Sequence, residues 1–400
     1  MTDETLGGPP ADDDHKPAPD VAPSPVSEHS ETTGEALVFE STLKPSSFLG
    51  LSLKNGLLNI ITLTLYRFWG KTEVRRRVWQ GIRLNGDAFE YTGRGMELFI
   101  GFLLALLVLG LPFLLVVFGA QFLGPGYALA VVLPLYLFIF WLWGFGVFTA
   151  FRYLASRTTW RGIRFRLQGS AMGYGFYYIG AVLLSGITLG WYWPTAERSL
   201  AERLWGELRF GDRRVRFSMG KAQKVGVYGP FALGWLLTLL PYLLLFTVVA
   251  MIAAMNAPMM SMVETVPVPP PPAPVPPVPE VAVMMISYLI ALILAPLVML
   301  VWAPYQAAMM RSIAAGVSID GASFTLDVKA IPLWWMTVSN LAVMLFTLGF
   351  LTPWVQARTA RWLIQRLKST GTAQIDATGQ TGTGPKTGEG LADAFGFSLI

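Results

Sequence analysis

The chain has 400 residues, of which 53% are hydrophobic and 14% charged, whereas about a quarter of the residues in soluble domains are charged. Its net charge of +5 includes an acidic N-terminus, because Met1 to Ala36 contain nine acidic residues and the single basic residue Lys16. There is no cysteine, and both histidines, His15 and His29, lie in this polar segment, which excludes disulfides, thiol chemistry and histidine catalysis in the apolar body. The composition predicts an integral membrane protein.

The first two segments in chain order are a tail and a module. Residues 1–36 are rich in proline and acidic residues and have no apolar periodicity, which predicts a disordered acidic tail. Residues 37–96 form module 1, in which an apolar run is followed by a basic helix. The Asn85-Gly86 pair then lies between the alternating residues of Ile82 to Tyr91, which is typical of a short cytosolic β-hairpin.

Residues 97–151 predict the first transmembrane hairpin. Leu98 to Phe118 and Tyr127 to Phe151 contain no charge, and each is long enough to cross about 30 Å of hydrocarbon. The turn between them is uncharged, whereas Arg152 to Arg166 contain five arginines and no acidic residue. The positive-inside rule therefore places the arginine side in the cytoplasm.

The rest of the chain repeats this order. Residues 152–224 form module 2, residues 225–308 a second transmembrane hairpin, and residues 309–368 module 3. Within the second hairpin, residues 257–280 form a Pro-rich loop, since nine of the thirteen residues from Pro267 to Pro279 are proline. This composition predicts extended polyproline on the periplasmic side. Residues 369–400 predict a second disordered tail.

An internal repeat links the three modules. Thr62-Leu63-Thr64, Thr188-Leu189-Gly190 and Thr347-Leu348-Gly349 each end an apolar run and precede a basic helix, which is more regular than chance usually supplies. Glycine and proline near these points weaken or end a helix. Each module is therefore predicted to be a broken helix.

The distribution of basic residues bears on the topology. If every apolar run crossed the membrane once, the basic segments 152–170 and 194–224 would lie on opposite sides, and one would break the positive-inside rule. Modules that enter the membrane and return avoid this conflict, with both termini in the cytoplasm. A conventional arrangement of seven spans is the alternative.

Two sets of residues are candidates for function. Polar side chains inside or beside the repeats could line a polar cavity or could bond and cap the broken helices; these are Asn59, Thr62, Ser185, Thr188, Asn340 and Thr347. Arginines at the cytoplasmic rim could bind anionic headgroups or simply record orientation; these are Arg76, Arg77, Arg198, Arg203, Arg358 and Arg361. No nucleotide loop, nucleophile elbow or zinc-ligand spacing is found in the sequence, so we expect no catalytic, cofactor or metal site and no nucleic-acid partner.

The sequence from Leu58 to Leu104 resembles the YjgN family of bacterial inner-membrane proteins, a domain of unknown function. Its pattern Asn-x-x-Thr-Leu-x-x-Tyr-x-x-Trp-x-Lys-x-x-x-Arg runs from Asn59 to Arg75, and the later copies TLGWYWP and TLGFLTPW are similar to that family too. The resemblance implies a multi-pass protein of the bacterial inner membrane and carries no assigned substrate, cofactor or catalytic residue.

The predicted fold class is thus an α-helical multi-pass membrane protein with two long transmembrane hairpins, three broken-helix modules and short cytosolic β-hairpins. Two functions fit it. The first is a transporter-like or channel-like protein for a small or amphiphilic anionic solute. The alternative is a non-transporting envelope protein that binds anionic lipids or a membrane partner.

Overall fold

The structure is a computed structural model that describes residues 34–120, 122, 128–263, 280–375 and 378–379. These belong to the compact unit Gly34–Ile400, which is separate from the unit Met1–Thr33. Most of the predicted acidic tail, the central part of the Pro-rich loop and residues 380–400 lie outside the described residues.

Most of the apolar segments of the chain are helical. They are α1 (Leu49–Ile61), α2 (Arg67–Gln80), α3 (Gly95–Ala105), α4 (Leu111–Ala120), α5 (Ala128–Arg157), α6 (Ala171–Ile187), α7 (Trp193–Trp205), α8 (Met219–Gln223), α9 (Tyr228–Val263), α10 (Glu280–Gly316), α11 (Ala330–Phe346) and α12 (Thr352–Ile364). A short 3-10 turn, Pro45–Phe48, precedes α1, and a π-helical turn, Leu106–Gly110, joins α3 to α4.

Twelve short strands lie between the helices in the described part of the chain. They are β1 (Glu35–Ala36), β2 (Phe39–Ser41), β3 (Ile82–Leu84), β4 (Asp87–Tyr91), β5 (Thr158–Trp160), β6 (Ile163–Leu167), β7 (Leu208–Phe210), β8 (Arg213–Phe217), β9 (Val317–Ile319), β10 (Ala322–Leu326), β11 (Leu367–Thr370) and β12 (Thr372–Ala373).

The strands assemble into one antiparallel meander. Strands β2 to β11 form a ten-stranded sheet in sequence order, so each pairs with its neighbours along the chain. The two ends then meet, because Glu35 and Ala36 of β1 pair with Ala373 and Thr372 of β12. Ser369 also donates a hydrogen bond to the carbonyl oxygen of Leu37. The sheet is therefore a nearly closed barrel, which the separate short hairpins predicted from the sequence did not anticipate.

All helices attach to the same end of this barrel. The tight turns of the hairpins, such as Asn85-Gly86 with φ of +50° and +85°, lie at the other end. Because the strands are antiparallel, every helical segment between two hairpins leaves the barrel at its helical end and returns to it there. This holds for α1–α2, α3–α5, α6–α7, α9–α10 and α11–α12.

Three helices of the described residues are long and apolar enough to cross a membrane. They are Gly95–Ala120, Ala130–Arg157 and Leu292–Gly316, and shorter apolar helices cover Ala171–Ile187, Tyr228–Leu240 and Ala330–Phe346. Many of their side chains are exposed, for instance Leu115 and Phe346, as expected of surfaces that face lipid.

The threonine turns have the same geometry in all three modules. Leu63, Leu189 and Leu348 adopt φ of +49°, +51° and +50°, a left-handed conformation that suits the end of a helix. The hydroxyl of Thr62 donates to the carbonyl oxygen of Leu58 at 2.7 Å and accepts from the amide of Tyr66 at 2.9 Å. Thr188 and Thr347 make the equivalent two hydrogen bonds. The hydroxyl thus joins the two helices of each broken pair.

Three segment boundaries differ from those predicted. Glu35 and Ala36 form β1, although the sequence placed residues 1–36 in a disordered tail. Residues 367–373 form β11 and β12 and close the barrel, although the sequence placed residues from 369 onward in a disordered tail. Helix α9 extends to Val263, past the predicted start of the Pro-rich loop at 257. The strand segments lack strong apolar periodicity, because they form only by pairing with residues that are distant in the chain.

Candidate functional site

The inner face of the barrel is apolar because apolar residues alternate with basic or polar residues along its strands, and successive side chains point to opposite faces of a sheet. On β6, Phe165 faces inward between Arg164 and Arg166, and on β7 Phe210 lies across from Phe165 in the sheet register. The rings of these two phenylalanines are 4.8 Å apart. Phe39 and Phe324 make a similar contact at 6.0 Å where the two ends of the sheet meet.

The helical end of the barrel is covered by the last turns of five helices, α2, α5, α7, α10 and α12. Each directs apolar side chains inward: Trp79, Leu154, Ala155, Trp205, Ile313, Ala314, Leu363 and Ile364. The hydroxyl of Thr158, just after α5, also lies here. It donates to the carbonyl oxygen of Leu154 at 2.7 Å and accepts from the indole of Trp79 at 2.9 Å, so its one donor hydrogen is already used.

The turn end of the barrel is met by the segment that follows β12. Ile375 is buried and contributes to the cavity lining. The carbonyl oxygen of Gly379 lies against the β7–β8 turn at Gly211. Ile375 therefore contributes to the wall of the interior at the turn end.

These walls line a cavity of about 650 Å³ that is open in part to its surroundings. Protein interiors contain few voids larger than a water molecule, and a cavity of about 150 Å³ with such a lining stays dry and binds benzene. None of the buried polar atoms that lack a partner in the described residues belongs to a lining residue. The cavity lies within the roughly 300–1,000 Å³ range of ligand pockets and suits an apolar molecule much larger than benzene.

The six polar candidates from the sequence lie elsewhere. The three threonines form the turns described above, one in each module. Asn340 accepts from the guanidinium of Arg358 at 2.8 Å and donates to Thr359 at 3.0 Å, which ties α11 to α12. The Oδ1 of Asn59 and the Oγ of Ser185 are buried and have no hydrogen-bond partner among the described residues. None of the six lines the barrel cavity.

The six arginine candidates fall into different environments. Arg76, Arg77, Arg203 and Arg361 are exposed, and the guanidinium of Arg203 lies 3.8 Å from the ring centre of Tyr177. Arg198 is 5% exposed. Arg358 and Arg361 line a second pocket, of about 330 Å³, beside α12.

A half-buried carboxylate lies close to Arg198. Glu197 on α7 accepts a hydrogen bond from the hydroxyl of Tyr305 at 2.6 Å. Burial raises the pKa of Glu197, while the bonds from Tyr305 and Trp193 and the charge of Arg198 oppose this effect in part. The side chain is held between α7 and α10.

Sequence reasoning missed the lining of the cavity. The signal was present in the hairpins, where a large apolar residue alternates with a basic or polar one, as in Arg164-Phe165-Arg166 and Arg214-Val215-Arg216. Each hairpin alone gives only a short strand pair, and the inner face exists only once all pairs are joined. Among the described residues, no group of three or more His, Cys, Asp or Glu side chains could hold a metal ion.

Comparison with known proteins gives one match. The model of the family described as "Bacterial protein of unknown function (DUF898)" matches residues 36–394. No curated protein and no solved structure matches the chain.

Proposed function

The chain belongs to the bacterial DUF898 family, which confirms the resemblance to YjgN; because that family has no assigned function, we propose one from the barrel cavity. The protein is a multi-pass protein of the bacterial inner membrane that binds the apolar chain of an amphiphile inside its barrel. The observation that carries this proposal is the apolar cavity of about 650 Å³.

The chemistry of the cavity favours a hydrocarbon chain. Twenty-six of the 27 lining residues are apolar or aromatic, and the exception, Thr158, has its hydroxyl paired. A polar solute would lose its hydration there without gaining hydrogen bonds, which costs several kcal/mol per group. Burial of each methylene, by contrast, contributes about 0.8 kcal/mol.

The position of the cavity favours a ligand that comes from the bilayer. The helices that cover the barrel include α5 and α10, which contain two of the three candidate spans, and their last turns line the cavity. The outer face of the sheet carries arginines between the inward residues, so the barrel favours the cytoplasmic side. An anionic amphiphile fits both features.

The barrel also supports the proposal that the modules enter the membrane and return. Strands β6 and β7 are hydrogen-bonded neighbours, and they flank α6 and α7 in the chain. Paired strands lie on one side of a membrane, so α6 and α7 together make an even number of crossings or none. This supports both termini and all hairpins in the cytoplasm and the Pro-rich loop in the periplasm.

The experiment is a binding measurement with a cavity-filling variant. The purified full-length protein is titrated with a fluorescent long-chain fatty acid, and lipids that copurify with it are identified by mass spectrometry. Ala314→Phe adds a ring to the lining and is expected to weaken binding at least tenfold while the helical circular dichroism is kept.

The matched control is Ala88→Phe. Ala88 pairs with Arg83 on the outer face of the same barrel, so the same added ring lies outside the cavity and binding is expected to be unchanged. Equal binding by both variants and the native protein would show that the barrel is not the site, and the proposal would be abandoned.

Transport of an amphiphilic anion is the second candidate. The observation that favours it is the hydrogen-bond network of Asn340, Arg358 and Thr359 between α11 and α12, the two helices of module 3. Polar and charged side chains between apolar helices often mark the path of a solute. Flux of the same fluorescent fatty acid into vesicles separates the candidates: a carrier loses flux in Asn59→Leu and Asn340→Leu but keeps binding. A binding protein leaves the flux at the level of protein-free vesicles.

A further inference from the structure

The pocket beside α12 is separate from the barrel cavity. It is lined by Pro45, Pro332, Trp335, Met336, Arg358, Arg361, Trp362 and Gln365. Helix α12 forms a wall of both spaces, because Leu363 and Ile364 line the barrel cavity. The two sites therefore share an element but no lining residue.

Two positive charges lie in this pocket without a negative one. Arg358 and Arg361 are three residues apart on one face of α12, where like charges repel. No carboxylate lines the pocket. In the part of the chain that the structure describes, the guanidinium of Arg361 makes no hydrogen bond or ion pair. The guanidinium of Arg358 donates to the neutral amide of Asn340 and lies 5.4 Å from the ring centre of Trp354, so it has no anionic partner there.

The repeat shows that the broken helix does not need these charges. Counted from the turn threonine, the positions of Arg358 and Arg361 correspond to Glu73 and Arg76 in module 1. In module 2 they correspond to Ser199 and Glu202. The same turn and helix pair form in all three modules, so a pair of arginines is not required for the fold. It is a property of module 3 alone.

The surroundings place the pocket at headgroup depth. Helix α11 is apolar and starts directly after the barrel, and Trp335 near its start is 60% exposed. Tryptophan favours the boundary between water and lipid. Trp362 lines the pocket from the opposite helix, so the arginines lie among side chains suited to the membrane interface.

We propose that the pocket formed by α11, α12 and Pro45 binds a phosphate-type anion, with Arg361 and Arg358 as its charge partners. Guanidinium groups form paired, charge-assisted hydrogen bonds with phosphate oxygens. Gln365 adds an amide donor, and Trp335 and Met336 offer apolar surface to the carbon next to the phosphate. This inference does not depend on what the barrel binds.

The test uses full-length protein in a neutral detergent. Retention of phosphatidylglycerol is measured by native mass spectrometry for the native protein and for Arg361→Gln. The structure predicts at least tenfold weaker retention in the variant, which corresponds to about 1.4 kcal/mol, since the variant loses a charge-assisted hydrogen bond. The charge reversal Arg361→Glu is expected to abolish retention. Arg361 is exposed, so both variants should fold, which circular dichroism checks.

Arg76→Gln is the matched control. It removes the arginine at the equivalent position of module 1, where Arg76 lies close to the carbonyl oxygen of Gly93 and lines neither pocket, and retention should be unchanged. A parallel titration with inorganic phosphate identifies the source of the anion: competition supports a soluble phosphate compound, and no competition supports the lipid headgroup. Equal retention by Arg361→Gln and Arg76→Gln, or none by the native protein, would overturn the proposal.

Discussion

At the scale of single residues, hydrogen bonds and burial determine the role of each polar or charged side chain in this protein. The turn threonines are spaced like candidates for a polar path, yet each hydroxyl is used by the backbone of its own turn. Glu197 is different, because it is an acidic side chain that the fold half-buries beside Tyr305 and Arg198. Its protonation should therefore be linked to the stability of the folded state.

Glu197 predicts a loss of stability as pH rises. Its pKa is raised in the folded protein, so above the ordinary glutamate pKa of about 4.3 the folded state holds the proton more tightly than the unfolded state. Stability should fall through this range until the pH passes the folded-state pKa, and then level off. Melting temperatures of the native protein between pH 4.5 and 8 should decline more steeply than those of Glu197→Gln, which keeps an acceptor for Tyr305.

Glu202→Gln serves as the control for this measurement, since Glu202 is exposed on the same helix. It should leave the pH profile of the native protein unchanged. Parallel profiles for the native protein and Glu197→Gln would contradict a half-buried, proton-linked carboxylate.

At the scale of elements, the helices and hairpins were predictable and their assembly was not. Helix α5 and the first hairpin follow from local patterns, namely a long charge-free run and an Asn-Gly turn. The threonine turns follow from the repeat. Pairing between hairpins depends on residues such as Tyr91 and Thr158, which pair in the sheet although helices α3 to α5 separate them in the chain. No local pattern encodes such a contact, so the barrel and its cavity could not be derived from single segments.

The paired strands predict which positions are accessible from outside the cell. The protein has no cysteine, so Arg166→Cys on β6 and Arg214→Cys on β8 are clean reporters for an impermeant maleimide. Because both strands pair with β7, the two cysteines should react only after permeabilisation. Pro272→Cys, in the Pro-rich loop outside the described residues, should react in intact cells.

The labelling result also decides between the two topologies. Reaction of Arg214→Cys in intact cells, with Arg166→Cys protected, would put β6 and β8 on opposite sides of the membrane. That outcome is incompatible with one barrel and would favour seven spans.

At the scale of the whole molecule, closure of the barrel is the contact that defines the cavity. It depends on β1, on β12 and on the turn at Gly371, whose φ is +87°. A Cβ atom at this position would meet the carbonyl oxygen of Gly321 in the β9–β10 turn. The closure thus combines a strained conformation with a close backbone approach, and glycine tolerates both.

Gly371→Ala is expected to destabilise the closed barrel by about 1–3 kcal/mol and to weaken binding of the fluorescent fatty acid. Differential scanning fluorimetry in detergent measures the first effect, and titration measures the second. Gly220→Ala is the matched control, because a Cβ atom there meets nothing within 4 Å and alanine favours a helix. Closure would not depend on this turn if both variants melted at the same temperature.

The meander also sets an order for biogenesis. Nearly every strand pair joins neighbours in the chain and can form as each hairpin leaves the ribosome, but the bond from Ser369 to Leu37 joins residues 332 positions apart. Closure must wait until β11 and β12 have been synthesised. Until then the phenylalanine-lined interior is exposed, and exposed apolar strands invite aggregation. A hydrocarbon chain taken up at this stage would cover that surface, so ligand supply could govern the yield of folded protein as well as its activity.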